Sequence, residues 1–164
     1  MLVSHHFYPE INPRAFRATE LCRELLNRGY CVDVIYAGEK RALSSENIAQ
    51  YLREADAKPS SSGAPRNHDN SIGKRLLRYF FAEKFMLTRL PWLKKTLRLT
   101  RYDAVISVGT PFYVHMAVAH ALRKLGRRIP SVCDNGDPFY NYKGRDKACY
   151  FAAIQSRTFR AFDY

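Results

Sequence analysis

The sequence predicts an α/β fold, a mainly parallel sheet flanked by helices, and three observations carry that prediction. Short β-rich apolar runs alternate with stretches of helical periodicity. Asn, Pro or Gly stands at most of the boundaries between them. The strand-like runs lead into loops rich in turn residues. The 164 residues fit one domain, and 46% hydrophobic with 13% aromatic content is enough for a real core.

Each element follows in order. Leu2-Val3-Ser4 reads as the tail of a buried strand running into the loop His5-His6-Phe7-Tyr8-Pro9. Asn12-Pro13 opens a helix, Asn as cap and Pro at the first helical position. Phe16, Leu21, Cys22, Leu25 and Leu26 recur at helical spacing, and Gly29 ends the helix. Tyr30 to Tyr36 is a β-rich run, completing a strand-helix-strand unit. Residues 40–73 are polar and rich in Ser and Pro, and read as a mobile insertion. Regularity resumes with a strand at 103–109, a turn at Thr110-Pro111 and a helix from about Phe112 to Lys124. Ile129 to Cys133 is the next strand, running into Asp134-Asn135-Gly136-Asp137-Pro138, and a last helical pattern spans about Lys147 to Phe162.

Charge narrows the function. Lys plus Arg number 27 against 15 Asp plus Glu, a net +12, which predicts an anionic partner or a generally basic surface. Residues 74–101 hold nine of the cations and one acid, Glu83. On a helix Lys74, Arg75, Arg78 and Arg89 gather on one side and Leu76, Phe80, Leu87 and Leu90 on the other. Lys84 falls among the apolar residues, where its stem can snorkel. With Phe81, Phe85, Trp92, Lys94 and Lys95 this basic amphipathic segment fits an interfacial helix on anionic lipid. The alternative is a helix packing its apolar face on the sheet with its basic residues solvated, and the two are compatible. No recognised nucleic-acid motif accompanies the charge.

Other classes are disfavoured. The longest apolar run, Ala148 to Ile154, is far short of the roughly 20 residues a spanning helix needs, and the first residues are no secretory signal. Cys22, Cys31, Cys133 and Cys149 lack metal or disulfide spacing and read as reduced thiols of a cytosolic protein. Neither a G-x-G-x-x-G nor a G-x-x-x-x-G-K-[ST] motif occurs, which disfavours dinucleotide oxidoreductases and P-loop nucleotidases.

On open parallel sheets ligands bind beyond the carboxyl ends of the strands. Three loops are therefore candidates: His5 to Arg14, Val108 to Phe112 with Thr110, and Cys133 to Tyr140. Pro13, Arg14 and Arg17 stand at a helix start, where an anion such as a diphosphate is favoured, or are ordinary solvated residues. His5 and His6 sit at a strand end, where one can meet a ligand or both be satisfied locally. Asp134 and Asp137 can accept hydrogen bonds from sugar hydroxyls or act as a base, or can simply form turns.

Three segments carry a resemblance: His5-His6-Phe7-Tyr8-Pro9-Glu10-Ile11-Asn12-Pro13-Arg14 with the helix ending Asn27-Arg28-Gly29-Tyr30, then Tyr102 to Pro111, then Ile129 to Pro138. In order and spacing they resemble the amino-terminal domain of family-4-type retaining glycosyltransferases, over residues 1–38 and 101–163. Asn12-Pro13 replaces the usual Gly-Gly of that loop, and Gly136 replaces an Arg. The resemblance implies a Rossmann-like domain forming the acceptor-side half of a GT-B architecture. It implies sugar transfer from a nucleotide-sugar to a cell-surface glycan or lipid-linked acceptor, without metal or other cofactor. It places Asp134 or Asp137 near the transferred sugar. Asn12, Arg14, Arg17, His6 and Thr110 would serve the donor diphosphate or acceptor. A peripheral position on the cytoplasmic face of a membrane is implied too, docked through residues 74–101.

The family's donor-binding domain would follow residue 164. The expectation is therefore an amino-terminal domain, a truncated protein or one member of a split pair, inactive alone or nearly so. A non-enzymatic module binding a membrane or a partner is the alternative.

Overall fold

A computed structural model describes residues 1–57, 88–126, 128–136 and 149–164. The chain folds as a five-stranded, mostly parallel sheet with helices on both faces, a Rossmann-like arrangement. The strands are β1 (Leu2–Ser4), β2 (Val34–Tyr36), β3 (Arg41–Leu43), β4 (Val105–Val108) and β5 (Ser131–Asp134), in the order β3-β2-β1-β4-β5. Only β3 runs antiparallel.

Alternation along the central strands sets the two faces. Leu2, Val34 and Tyr36 pack with α1 (Pro13–Asn27) and α2 (Ser45–Asp56), through Ala18, Cys22, Ile48 and Leu52. Val3, Ile35 and Val105 point the other way, against α3 (Leu90–Thr96) and α4 (Tyr113–Lys124), through Leu93, Val114, Ala117 and Val118. Consecutive side chains on a strand leave on opposite faces, so the adjacent apolar pair Leu2-Val3 calls for cover on both faces of the sheet. Phe151 of α5 (Tyr150–Phe159) packs on Phe112.

α1 begins as its boundary residues dictate. Asn12 is extended, its Oδ1 accepts from the Ala15 N–H at 2.8 Å, and Pro13 follows at the first helical position. Gly29, at φ +81°, carries the chain out of the helix.

Two expectations are corrected. Part of the stretch 40–73 is regular structure, not a mobile insertion: β3 extends the sheet and α2 packs on it. Polar residues occupy the outer side of α2, while Ile48 and Leu52, one turn apart, are buried with Leu43. Burying two such side chains contributes about 1.5–3 kcal/mol each. The second strand is also shorter than its β-rich run, because Tyr30 and Cys31 are exposed and pairing starts at Val34.

The fifth strand starts at Ser131, since Pro130 has no N–H for the ladder and supplies only its carbonyl, to Val105 N. The last helix is confined to Tyr150–Phe159. Residues Lys74, Arg75, Arg78, Phe80, Phe81, Phe85 and Asp137 lie outside the described residues. Of the basic segment, the described part packs on the core through buried Leu93 and partly buried Leu90 and Trp92, with Lys94 and Lys95 exposed.

Candidate functional site

The strand order places a switch point between β1 and β4: the chain leaves β1 toward β2 on one side, and β4 leads to β5 on the other. Beyond their carboxyl ends the three candidate loops meet around a cleft of about 510 Å³. The first loop and the start of α1 contribute His6, Asn12, Arg14 and Arg17, the second Gly109 and Thr110, the third Asp134 and Gly136.

Backbone pairing holds the loops in place. Gly109 N donates to Asp134 O at 2.8 Å, joining the second loop to the third. Ser4 Oγ donates to His6 O at 2.7 Å, and Gly38 N to His5 O at 3.0 Å. A Cβ at Gly38 would fall 2.3 Å from that carbonyl, so only glycine admits the approach. Arg17 Nη2 donates to Asp134 Oδ1 at 2.5 Å, tying α1 to the end of β5 across 117 positions.

Glu10 organises the first loop. Its carboxylate accepts from Asn12 Nδ2 at 2.9 Å, from His6 Nδ1 at 2.6 Å and from the Tyr36 hydroxyl. Partial burial pushes this carboxyl up, and the bonds from His6, Tyr36 and Asn12 outweigh it, leaving Glu10 below its ordinary range. Burial and the Glu10 carboxylate together push the Tyr36 hydroxyl up, so it stays a donor.

The two neighbouring histidines separate. His6 lines the cleft. His5 is buried, its Nδ1 2.7 Å from Tyr113 Oη, and burial, then the neighbouring His6, lower it to about 4. His5 is a core residue.

The cleft thus sets two guanidinium groups, Arg14 and Arg17, beside groups that accept from hydroxyls, Asp134 and His6. The Thr110 hydroxyl oxygen is buried in this wall with no hydrogen-bond partner among the described residues. Cations at a helix start can hold an anion, and carboxylate and imidazole can hold or deprotonate a hydroxyl.

Comparison with protein-family models, with curated proteins and with solved structures gives no match. The reading therefore rests on geometry. A larger groove, about 550 Å³, lies between β3 and α2, but residues 39–54 and Pro9 form it, without convergence of distant loops. The switch-point cleft is the better candidate on physical grounds. No group of three or more His, Cys, Asp or Glu able to hold a metal occurs among the described residues. No helix among them is long and apolar enough to cross a membrane.

Sequence reasoning named six of these side chains, His6, Asn12, Arg14, Arg17, Thr110 and Asp134, and the fold brings them to one cleft. It assigned no role to Glu10 or Tyr36. The spacing of His6 and Glu10 in a loop of otherwise apolar and Pro residues was the available signal for the first. Tyr36 reaches Glu10 only because β2 pairs with β1.

Proposed function

We propose that this domain is the acceptor-side half of a GT-B glycosyltransferase. It moves a sugar from a nucleotide-sugar, with retention, to a cell-surface glycan or a lipid-linked acceptor. One observation carries the reading: the three segments that resemble family-4-type enzymes converge on a single cleft at the sheet's switch point.

In this reading Arg14, Arg17 and the start of α1 face the donor diphosphate, whose two negative charges they offset. Asp134 approaches the transferred sugar and accepts from its hydroxyls, releasing Arg17 toward the phosphate. A donor-binding domain, on the same chain or a separate one, supplies the nucleotide pocket and closes over the cleft. Lys94, Lys95 and the rest of the basic segment hold the domain against the anionic cytoplasmic face of a membrane, where a lipid-linked acceptor lies.

The test is sugar transfer by the natural protein, with membranes from its own cells as acceptor and a panel of labelled nucleotide-sugars as donors. One donor labels the lipid or glycan fraction, and Asp134→Ala lowers turnover more than donor binding. Vesicle binding with no transfer from any donor would replace this reading with a non-enzymatic membrane module.

A further inference from the structure

The hydrogen-bond network around Glu10 fixes more than a loop shape. It assigns protons. Asn12 Oδ1 accepts from the Ala15 N–H at 2.8 Å, so the Asn12 amide is oriented and its Nδ2 must donate, which it does to Glu10 Oε2 at 2.9 Å. Tyr36 donates its hydroxyl proton to Glu10 Oε1. A carboxylate accepts only, so the contact of 2.6 Å between His6 Nδ1 and Glu10 Oε2 requires a proton on Nδ1.

A neutral imidazole with Nδ1–H carries its lone pair on Nε2. That nitrogen is not sealed from solvent and has no partner among the described residues, while the ring lines the cleft. An Nε2 lone pair repels phosphate or carboxylate oxygens and accepts from a hydroxyl.

We infer that His6 is the hydroxyl-recognising residue of this cleft: Glu10 locks the ring as the Nδ1–H tautomer, and Nε2 accepts a hydrogen bond from a hydroxyl of the bound molecule. Glu10 acts through His6 and is a positioning residue, with Asn12 and Tyr36 holding it in turn. The cleft is thereby divided, anion to Arg14 and Arg17, hydroxyl to His6. The inference rests on the glycosyltransferase reading only in naming the owner of that hydroxyl as the acceptor or the transferred sugar.

Long-range proton–nitrogen spectra of the histidine-labelled chain at pH 8 test the first half. His6 should show a protonated Nδ1 and an unprotonated Nε2, the reverse of the form that predominates for a free histidine side chain. In Glu10→Ala, checked for folding by circular dichroism, it should revert to Nε2–H. Nε2–H in the wild type, or a doubly protonated ring, overturns the inference.

Titration tests the second half, with methyl glycosides at molar concentration and, separately, inorganic pyrophosphate. The glycoside should move the His6 Nε2 resonance, and His6→Phe should weaken its binding about tenfold, as loss of one hydrogen bond to the site does. Pyrophosphate should move the Arg14 and Arg17 side-chain resonances and leave His6 Nε2 in place. A glycoside that leaves Nε2 unmoved overturns the hydroxyl role, whatever the transfer assay shows. A glycoside response in a protein that transfers no sugar keeps His6 in its role and removes the enzyme reading.

Discussion

Acidification should destabilise this domain through two histidines, and the size of the effect follows from where they sit. His5 is 6% exposed against Tyr113, and His115 is fully buried with its Nδ1 2.8 Å from Ser107 Oγ. Burial lowers His5 to about 4 and, outweighing a hydrogen bond with the Gly109 backbone, His115 to about 4. An unfolded histidine titrates near about 6.5. The unfolded chain therefore takes up protons that the folded chain refuses. Stability is intact above the unfolded value, falls as pH drops through the window from about 6.5 to about 4, and levels below it.

Between pH 7 and pH 5 each histidine costs about 2 kcal/mol, about 4 kcal/mol for the pair, in a domain whose total stability is about 5–15 kcal/mol. The lowered carboxyl of Glu10 acts in the same direction but at lower pH, below the ordinary carboxylate value. Urea unfolding followed by circular dichroism at pH 7 and pH 5 measures the loss. His5→Phe and His115→Phe should each remove about half of it, even where the variant's own stability at pH 7 is reduced. Equal stability at the two pH values, or an undiminished loss in the double variant, refutes the reasoning.

Further predictions concern the fold and the cleft. Ile48→Ala should cost about 2–5 kcal/mol in urea unfolding, because α2 belongs to the core; a negligible change would return the segment to a mobile insertion. Asn12→Ala should cost about 1–2 kcal/mol through loss of the cap, and amide exchange in the first turn of α1 should accelerate; unchanged exchange there contradicts the cap. Gly38→Ala should destabilise by about 1–3 kcal/mol, since its methyl group would meet the His5 carbonyl at 2.3 Å, and an unaltered melting temperature would show the contact to be relaxed.

The parts of this fold legible in the sequence are those fixed by short-range chemistry. Asn12-Pro13 and Gly29 marked both ends of α1, and the apolar runs at Leu2, Val34 and Val105 marked the central strands. α2 escaped notice because Glu46, Gln50, Arg53 and Glu54 on its outer side dominate the composition and conceal the buried pair Ile48 and Leu52. The loops of the cleft were identifiable from their place after strands. Their wiring was not. Arg17 meets Asp134, and Tyr36 meets Glu10, only after the sheet order has brought β5 and β2 alongside β4 and β1. Proton assignment at His6 lies further still from the sequence, since it depends on Asn12 being turned by the cap it makes.

The central claim is that one cleft, at the switch point between β1 and β4, receives an activated sugar. Titrating inorganic pyrophosphate, the part of the donor that this cleft itself would hold, into the nitrogen-labelled chain tests it most directly. The account predicts amide shifts at Asn12 and residues 14–17, at Gly109 and Thr110 and at Asp134 to Gly136, all saturating with one affinity. Shifts gathered on the groove around Arg41 and Tyr51, or none at saturating ligand, would contradict it.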